Sequence, residues 1–450
     1  MHGSSATRNP WIKTLVIFLL LAAAGGFLLR GPIRFVHRQM TWNDFLSPYI
    51  QADAWVRGKD PYCAGNIVLL WPPEDPRPDF VAREAADGSL PAKRGIPSLY
   101  PVTSLALLAP LTFLKWTVAE TLWIAINTIL LLLALVFLIA ISGVSWRSLR
   151  VQFFLAAALA LAPLHTGLAT GNPAVLAIAL TAGAVWADRR HKVIVSGILL
   201  ALAVCLKPTI ALAFVLYLVV CRHWRVVAVA SAVTALIAAV AAGWLRHERI
   251  AWLASYFDNN RKILASGGLA DFTSADPLRF NLVNTQVLFY SLFGSVSLAQ
   301  WLSFFLAAAL LAVWLSLSLR HRSSSEEPNR QDGFLEISSL FVLSLLPVYH
   351  RFYDAGLLLW PLAWTLLMAD RGRRQLWTML AIAPFFAPGA AFLDRWTEQG
   401  RIPQRIAHRG WWNMIVMPHE IWSLIALSIL LLLWMNSKSR PAAGQEPSVR

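Results

Sequence analysis

The sequence predicts an all-α polytopic membrane protein of about 12 transmembrane helices with two long extracytoplasmic loops. Composition is the first reason: 57% of the 450 residues are hydrophobic and 14% charged, with a mean hydropathy of +0.56, too apolar for the surface of a soluble domain. The second is the placing of the charges. A net charge of +15 would suit nucleic acid, yet Lys and Arg fall in short clusters between apolar runs and never build one long basic face. They mark the cytoplasmic ends of spans.

A span needs about 20 apolar residues. Such runs lie near 14–30, 99–114, 117–142, 151–165, 172–188, 193–206, 208–221, 224–245, 298–319, 334–349, 354–369, 375–392 and 414–435. Residues 1–13 read as a cytoplasmic N-terminus, 14–435 as the transmembrane domain and 436–450 as a disordered cytoplasmic tail. The first run, flanked by Arg8 and Lys13 and containing Ala22, Ala23 and Ala24, suits an uncleaved span better than a cleaved signal peptide. The clusters Arg189 to Lys192, Arg222 to Arg225, Arg320 to Arg330, Arg371 to Arg374 and Lys438 to Arg440 are expected inside. With both termini inside, the runs are one too many, so one before Arg189 must fail to cross. The stretch 151–165 is assigned that role, because it is short and leads into the Gly- and Pro-containing "HTGLATGNP", a pattern suited to a re-entrant helix.

Residues 31–98 and 246–297 are then outer loops far longer than ordinary helix connections. In the second, "WLASYFDNNRKIL" suits a helix lying in the interface. The first contains "TWNDFLSPYIQADAWVRGKDPY", residues 41–62. Ser47 and Pro48 are a good helix start. Asp44, just before it, reads either as an interfacial or capping carboxylate or as a general base where the membrane surface meets a cavity.

"DFLSPYIQADAWVRGKDPY" resembles the first outer loop of glycosyltransferase family 87 in the GT-C superfamily. Three further stretches agree in order. "YPVTSLALLAPLTFLKWTVAETLWIAIN" is similar to the family's Tyr-Pro-Pro run and following Trp-Asn span, with Val102 in place of the second Pro. "TGNPAVLAIAL" is similar to its Gly-Gln-x-Asn segment, with Asn172 in the Gln place and Ala174 where Asn is usual. "SGILLALAVCLKPTIAL" resembles its Gly-rich span ending in Lys-Pro, here Lys207 and Pro208. Looser likeness continues at "FNLVNTQVLFYSLFG" and "LLPVYHRFYDAGLLLWP". The resemblance implies a GT-C-like fold and an integral membrane hexosyltransferase. It would move a sugar such as mannose from a polyprenyl-phosphate donor to a glycolipid, glycan or protein acceptor outside the membrane. By the same resemblance Asp44 takes the place of the catalytic acid of that loop.

Lys207 is the cation between two apolar runs, where burial at mid-bilayer would cost about 2.5 kcal/mol or more. It is expected either as a snorkelling turn residue or as a clamp on the donor's phosphate. His350 and Arg351, beside Tyr349, Tyr353 and Asp354, sit at an outer mouth and are further phosphate candidates against a plain anchoring role. Tyr49, Tyr62, Asn172 and Asn284 are expected to line the substrate cavity. Asp53 and Asp60 are weaker bases than Asp44, since Asp60-Pro61 reads as turn chemistry. Cys63, Cys205 and Cys221 form no CxxC pattern, and no HExxH or carboxylate cluster suggests a metal. No cofactor is expected apart from the lipid-linked donor, and the expected partners are membrane lipids, donor and acceptor, with no nucleic acid. The rival reading is a twelve-span transporter or lipid flippase, which would favour ionisable positions at mid-membrane. Here the polar residues gather at one face.

Overall fold

In a lipid environment each backbone N–H and C=O must find its partner within the chain, and the helix does this within a single segment. The computed structural model describes residues 10–37, 43–74, 100–323, 330–369 and 372–438. Among the described residues the chain is helical, with one isolated antiparallel bridge between Leu282 and Arg351. Five helices are long and apolar enough to cross a membrane, or seven if each of two bent pairs counts as one span. Lys13–Val36, Trp116–Ser142, Trp224–His247, Val296–Ser323 and His419–Ser437 are the five. Shorter apolar helices, among them Val193–Leu206 and Pro208–Val220, pack between them. The assignments to residues 1–9, 38–42, 75–99, 324–329, 370–371 and 439–450 lie outside the described residues; residues 436–438 complete the last helix.

Polar contacts define two ends. At one, Arg189 donates to the Tyr217 hydroxyl, Arg322 pairs with Glu336, Gln331 donates to the Met368 carbonyl and Arg374 to Ser437. This end gathers the basic clusters. At the other, Asp44 meets Asn172, and Lys207 meets Asp354. The Ala174–Arg189 helix joins the two ends, a separation of about 24 Å at 1.5 Å per residue.

This geometry corrects the choice of the non-crossing run. The helix pair Leu149–Ala160 and Ala162–Thr170, bent by 46°, runs from Arg150, which donates to the Leu367 carbonyl at the basic end, to Thr170, which accepts from the Asp44 backbone. The run at 99–114 instead begins and ends at the opposite end. Tyr62 donates to the Tyr100 carbonyl and Tyr49 to the Leu114 carbonyl, while Thr103 and Ser104 cap the Cys205 carbonyl just before Lys207. Its helical part, Val102–Phe113, is too short to cross a bilayer core about 30 Å thick.

The first long loop meets both the Trp224–His247 helix and the second long loop over the Asp44 end. The Trp55 indole donates to the Ala241 carbonyl, and the Trp244 indole to the Trp55 carbonyl. The expected interfacial helix, Trp252–Leu264, keeps almost its whole length at least partly exposed. It meets the first loop through Ser255 and Asp60 at 2.5 Å and through Tyr62 and Tyr256 rings 5.0 Å apart.

A topology assay checks the corrected path. In a chain lacking Cys63, Cys205 and Cys221, Ala275→Cys is expected to react with an impermeant thiol reagent on intact cells, and Ser145→Cys only after permeabilisation. External labelling of Ser145→Cys would restore 151–165 as the stretch that fails to cross.

Candidate active site

The sequence before Asp44 and the turn at residues 170–172 build one another. The Ala162–Thr170 helix ends at Gly171 with φ +68°, a left-handed conformation that glycine adopts without a Cβ penalty. A Cβ there would also lie 2.5 Å from the Phe35 ring and 3.2 Å from Phe45. The turn exposes two carbonyls in succession. That of Thr170 accepts from the Asp44 N–H at 2.7 Å, and that of Gly171 from the Trp123 indole at 2.8 Å. Phe45 stacks on Trp123 with centroids 4.6 Å apart, so the residue after Asp44 is fixed as firmly as the residue itself.

Asn172 then holds the carboxylate. Its Oδ1 accepts from the Ala174 N–H at 2.9 Å and from Lys207 Nζ at 3.4 Å, which leaves Nδ2 to donate to Asp44 Oδ2 at 3.0 Å. With donors on one side and an acid on the other, the amide has one sensible orientation. The Tyr100 phenol hydrogen-bonds Asn172 as well, and burial raises its pKa above the usual phenol value, with Asp44 and Asp354 adding to the shift.

The helix that follows begins at Leu46 rather than at Ser47 and Pro48. Asn43 explains the difference: its Oδ1 accepts from the N–H groups of Phe45 and Leu46 at 3.0 and 3.2 Å, and its Nδ2 donates to the buried Glu120. The capping role weighed for Asp44 therefore falls to Asn43. Asp44 Oδ1 keeps no partner among the described residues.

Asp354 is the centre that the sequence left in second rank. Its side chain is 1% exposed and fully engaged. Oδ1 accepts from Lys207 Nζ at 2.5 Å, and Oδ2 from His350 Nδ1 at 3.2 Å and the Arg351 N–H at 3.1 Å. His350 is fully buried, and its Nε2 faces the Ser344 carbonyl at 3.1 Å. Lys207 also lies 4.8 Å from the Tyr353 ring centroid. It is thus not a snorkelling residue: 14% exposed, it closes a buried ion pair. Arg351 turns aside to the Tyr349 hydroxyl at 2.7 Å and the Leu269 carbonyl at 3.0 Å, although Asp44 still acts on it electrostatically.

Four of the expected site residues thus converge: Asp44, Asn172, Lys207 and His350, with Arg351 at the margin. Three do not. Tyr49 packs against Trp116 and donates to Leu114, Tyr62 is buried against Tyr256, and Asn284 caps the Thr285–Phe293 helix by accepting from the Val287 N–H. Asp53 pairs with the exposed Arg57, and Asp60 accepts from the Tyr62 N–H within its turn. Glu120 went unmarked, and Tyr353 was marked only as a neighbour of His350. Among the described residues no group of three or more His, Cys, Asp or Glu side chains converges as a metal site would.

The family model of glycosyltransferase family 87 matches residues 99–347, more than half of the chain. The chain belongs to glycosyltransferase family 87. No curated protein and no solved structure matches it. Membership makes this a membrane glycosyltransferase. The family match takes in Asn172 and Lys207, begins after Asp44 and stops before His350. Asp44 joins the matched part through the Asn172 amide and the Thr170 carbonyl.

Removing that amide isolates its contribution. A hydrogen bond to a charged group is worth about 1.5–3 kcal/mol, so Asn172→Ala should lower transfer about 10- to 150-fold while the folded protein still purifies. Gly171→Ala should instead lose about 1–3 kcal/mol of stability through overpacking, read as a lower thermal midpoint in detergent.

Proposed function

We propose that this family 87 protein transfers a sugar, mannose or another hexose or pentose, from a polyprenyl-phosphate donor to an extracytoplasmic lipid, glycan or protein acceptor, with inversion. The observation that carries the reading is Asp44 itself. It is half-buried, with one oxygen held by Asn172 and the other open, two bonds away from a buried cation. Asp354 offers no such freedom, since both its oxygens are occupied. Asp44 would take the proton of an acceptor hydroxyl as that oxygen attacks the anomeric carbon. The bond from that carbon to the phosphate oxygen breaks in the same step, and polyprenyl phosphate leaves with the electron pair. Lys207 and His350 would donate to the charge that develops on the leaving oxygen, with Arg351 behind them.

The gathering of basic loops at the opposite end supports placing this site outside the cytoplasm. On this reading the chain makes about twelve crossings, the shorter helices included, in the cell membrane. The membrane would hold donor and acceptor lipids at the same level as the site.

Asp44→Asn keeps the shape and the Asn172 contact but removes the proton acceptor. Transfer is expected to fall about 10²–10⁴-fold, or roughly 3–5 kcal/mol of barrier, at unchanged expression. Wild-type turnover in that variant would end the general-base assignment.

Lys207 needs a paired design, because deleting one member of a buried ion pair costs about 3–5 kcal/mol on its own. Lys207→Met should destabilise the protein, and adding Asp354→Asn should recover much of the thermal midpoint. Transfer from a polyprenyl-phosphate sugar should stay low in both. If activity returned with stability, Lys207 would serve the fold alone.

A further inference from the structure

The end that carries Asp44 has arginines of its own. Arg30 closes the Pro10–Arg30 helix, Arg34 lies in the Pro32–Val36 helix, and Arg395 is in the last turn of Ala390–Glu398. Arg401, Arg405 and Arg409 follow in the connection to His419. That connection belongs to this end: Met417 and Ile421 share a cluster with Phe272, Phe280 and Val287 of the second outer loop, and the last helix runs from there to Ser437 beside Arg374.

None of these six guanidinium groups has a carboxylate within ion-pair distance among the described residues. Arg34 and Arg395 repel one another, and the buried His165 lies in the fields of Arg30 and Arg34. Asp394 and Glu398 lie beside Arg395 and act on each other, and neither closes an ion pair with it. Unpaired like charges destabilise the compact chain unless something outside it supplies the counter-charge. Retention of basic residues also favours the cytoplasmic side during insertion, so an arginine group at the far end works against that bias. Apolar surface adjoins the charges. Phe18, Leu21, Leu28 and Leu29 are exposed along the first helix, and Trp411 and Ile415 are exposed beside Arg409.

We propose that this end carries a binding surface for anionic phospholipid headgroups of the surrounding leaflet. Arg34 and Arg395 form its centre, Arg401, Arg405 and Arg409 its extension, and the acyl chains lie on the exposed face of the first helix. Charge complementarity identifies the occupant, and the adjoining apolar lane distinguishes a lipid from a free anion. Phe35, one residue beyond Arg34, packs against Gly171, so a lipid held here borders the turn that seats Asp44. The surface does not depend on which sugar or acceptor the enzyme uses.

Native mass spectrometry of the purified full chain, given equal phosphatidylglycerol and phosphatidylcholine, reads the preference directly. Each arginine near an anionic surface contributes about fivefold, so Arg34→Gln with Arg395→Gln and Arg405→Gln should reduce the preference for phosphatidylglycerol by at least about tenfold. The corresponding Lys substitutions should keep it. A matched set at the basic end, Arg190→Gln with Arg222→Gln and Arg320→Gln, controls for lipid bound there and should leave the remaining preference sensitive to the first set. An unchanged preference in the Gln variant would overturn the proposal. So would displacement of the lipid by inorganic phosphate at the lipid's own concentration, which would mark an anion pocket instead.

Discussion

A carboxylate that serves as a base near the edge of a bilayer has to be held without being neutralised. Full burial with a cation at contact would fix its position but remove its tendency to take a proton, and full exposure would leave it mobile. The amide of Asn172 is the compromise on which the rest of the site depends. It donates one neutral hydrogen bond to Asp44 Oδ2 and places its own oxygen toward Lys207. The cation therefore acts through a side chain, at one remove. Everything that fixes Asn172 consequently fixes the Asp44 carboxylate: the left-handed Gly171, the Ala174 N–H and the Lys207 ammonium.

The charges near the site follow the same economy. Lys207 and Asp354 cancel in direct contact, and Asp44 lies within the field of Arg351 without touching it. Buried ion pairs add little net stability, because desolvation opposes the Coulomb attraction, yet losing one partner is severe. The pair makes more sense as a fixture than as a source of stability. It joins the Lys-Pro break between two helices to the start of the Phe352–Leu358 turn. His350 extends the same fixture, its two ring nitrogens lying against Asp354 and the Ser344 carbonyl.

Much of this was legible in the sequence because it rests on local chemistry. Gly171 between Thr170 and Asn172 announces a helix stop. Lys207 before Pro208 announces a break, and a charge at that break must find a partner. The partner itself was not legible. Asp354 follows Lys207 by 147 residues, and nothing local separates a carboxylate that accepts three bonds from one at an ordinary turn. Tyr49 and Tyr62 lie apart from the cluster for the complementary reason: a polar atom beside a motif suggests a cavity, but a buried hydroxyl is satisfied just as well by a backbone carbonyl. The run at 99–114 looked like a span by composition. Only the hydroxyls of Tyr49 and Tyr62, both reaching it from the first loop, show that its two ends lie together.

The misread run matters beyond topology. A short helix that starts and finishes on the same side brings Tyr100 to Asn172 at one end, and Thr103 and Ser104 to the carbonyls before Lys207. One element thus touches both the amide that holds Asp44 and the break that carries Lys207. The separation of Asp44 and Lys207 is then set by a short helix and the single side chain of Asn172, elements whose backbone bonds are complete within the chain, as a lipid surrounding requires.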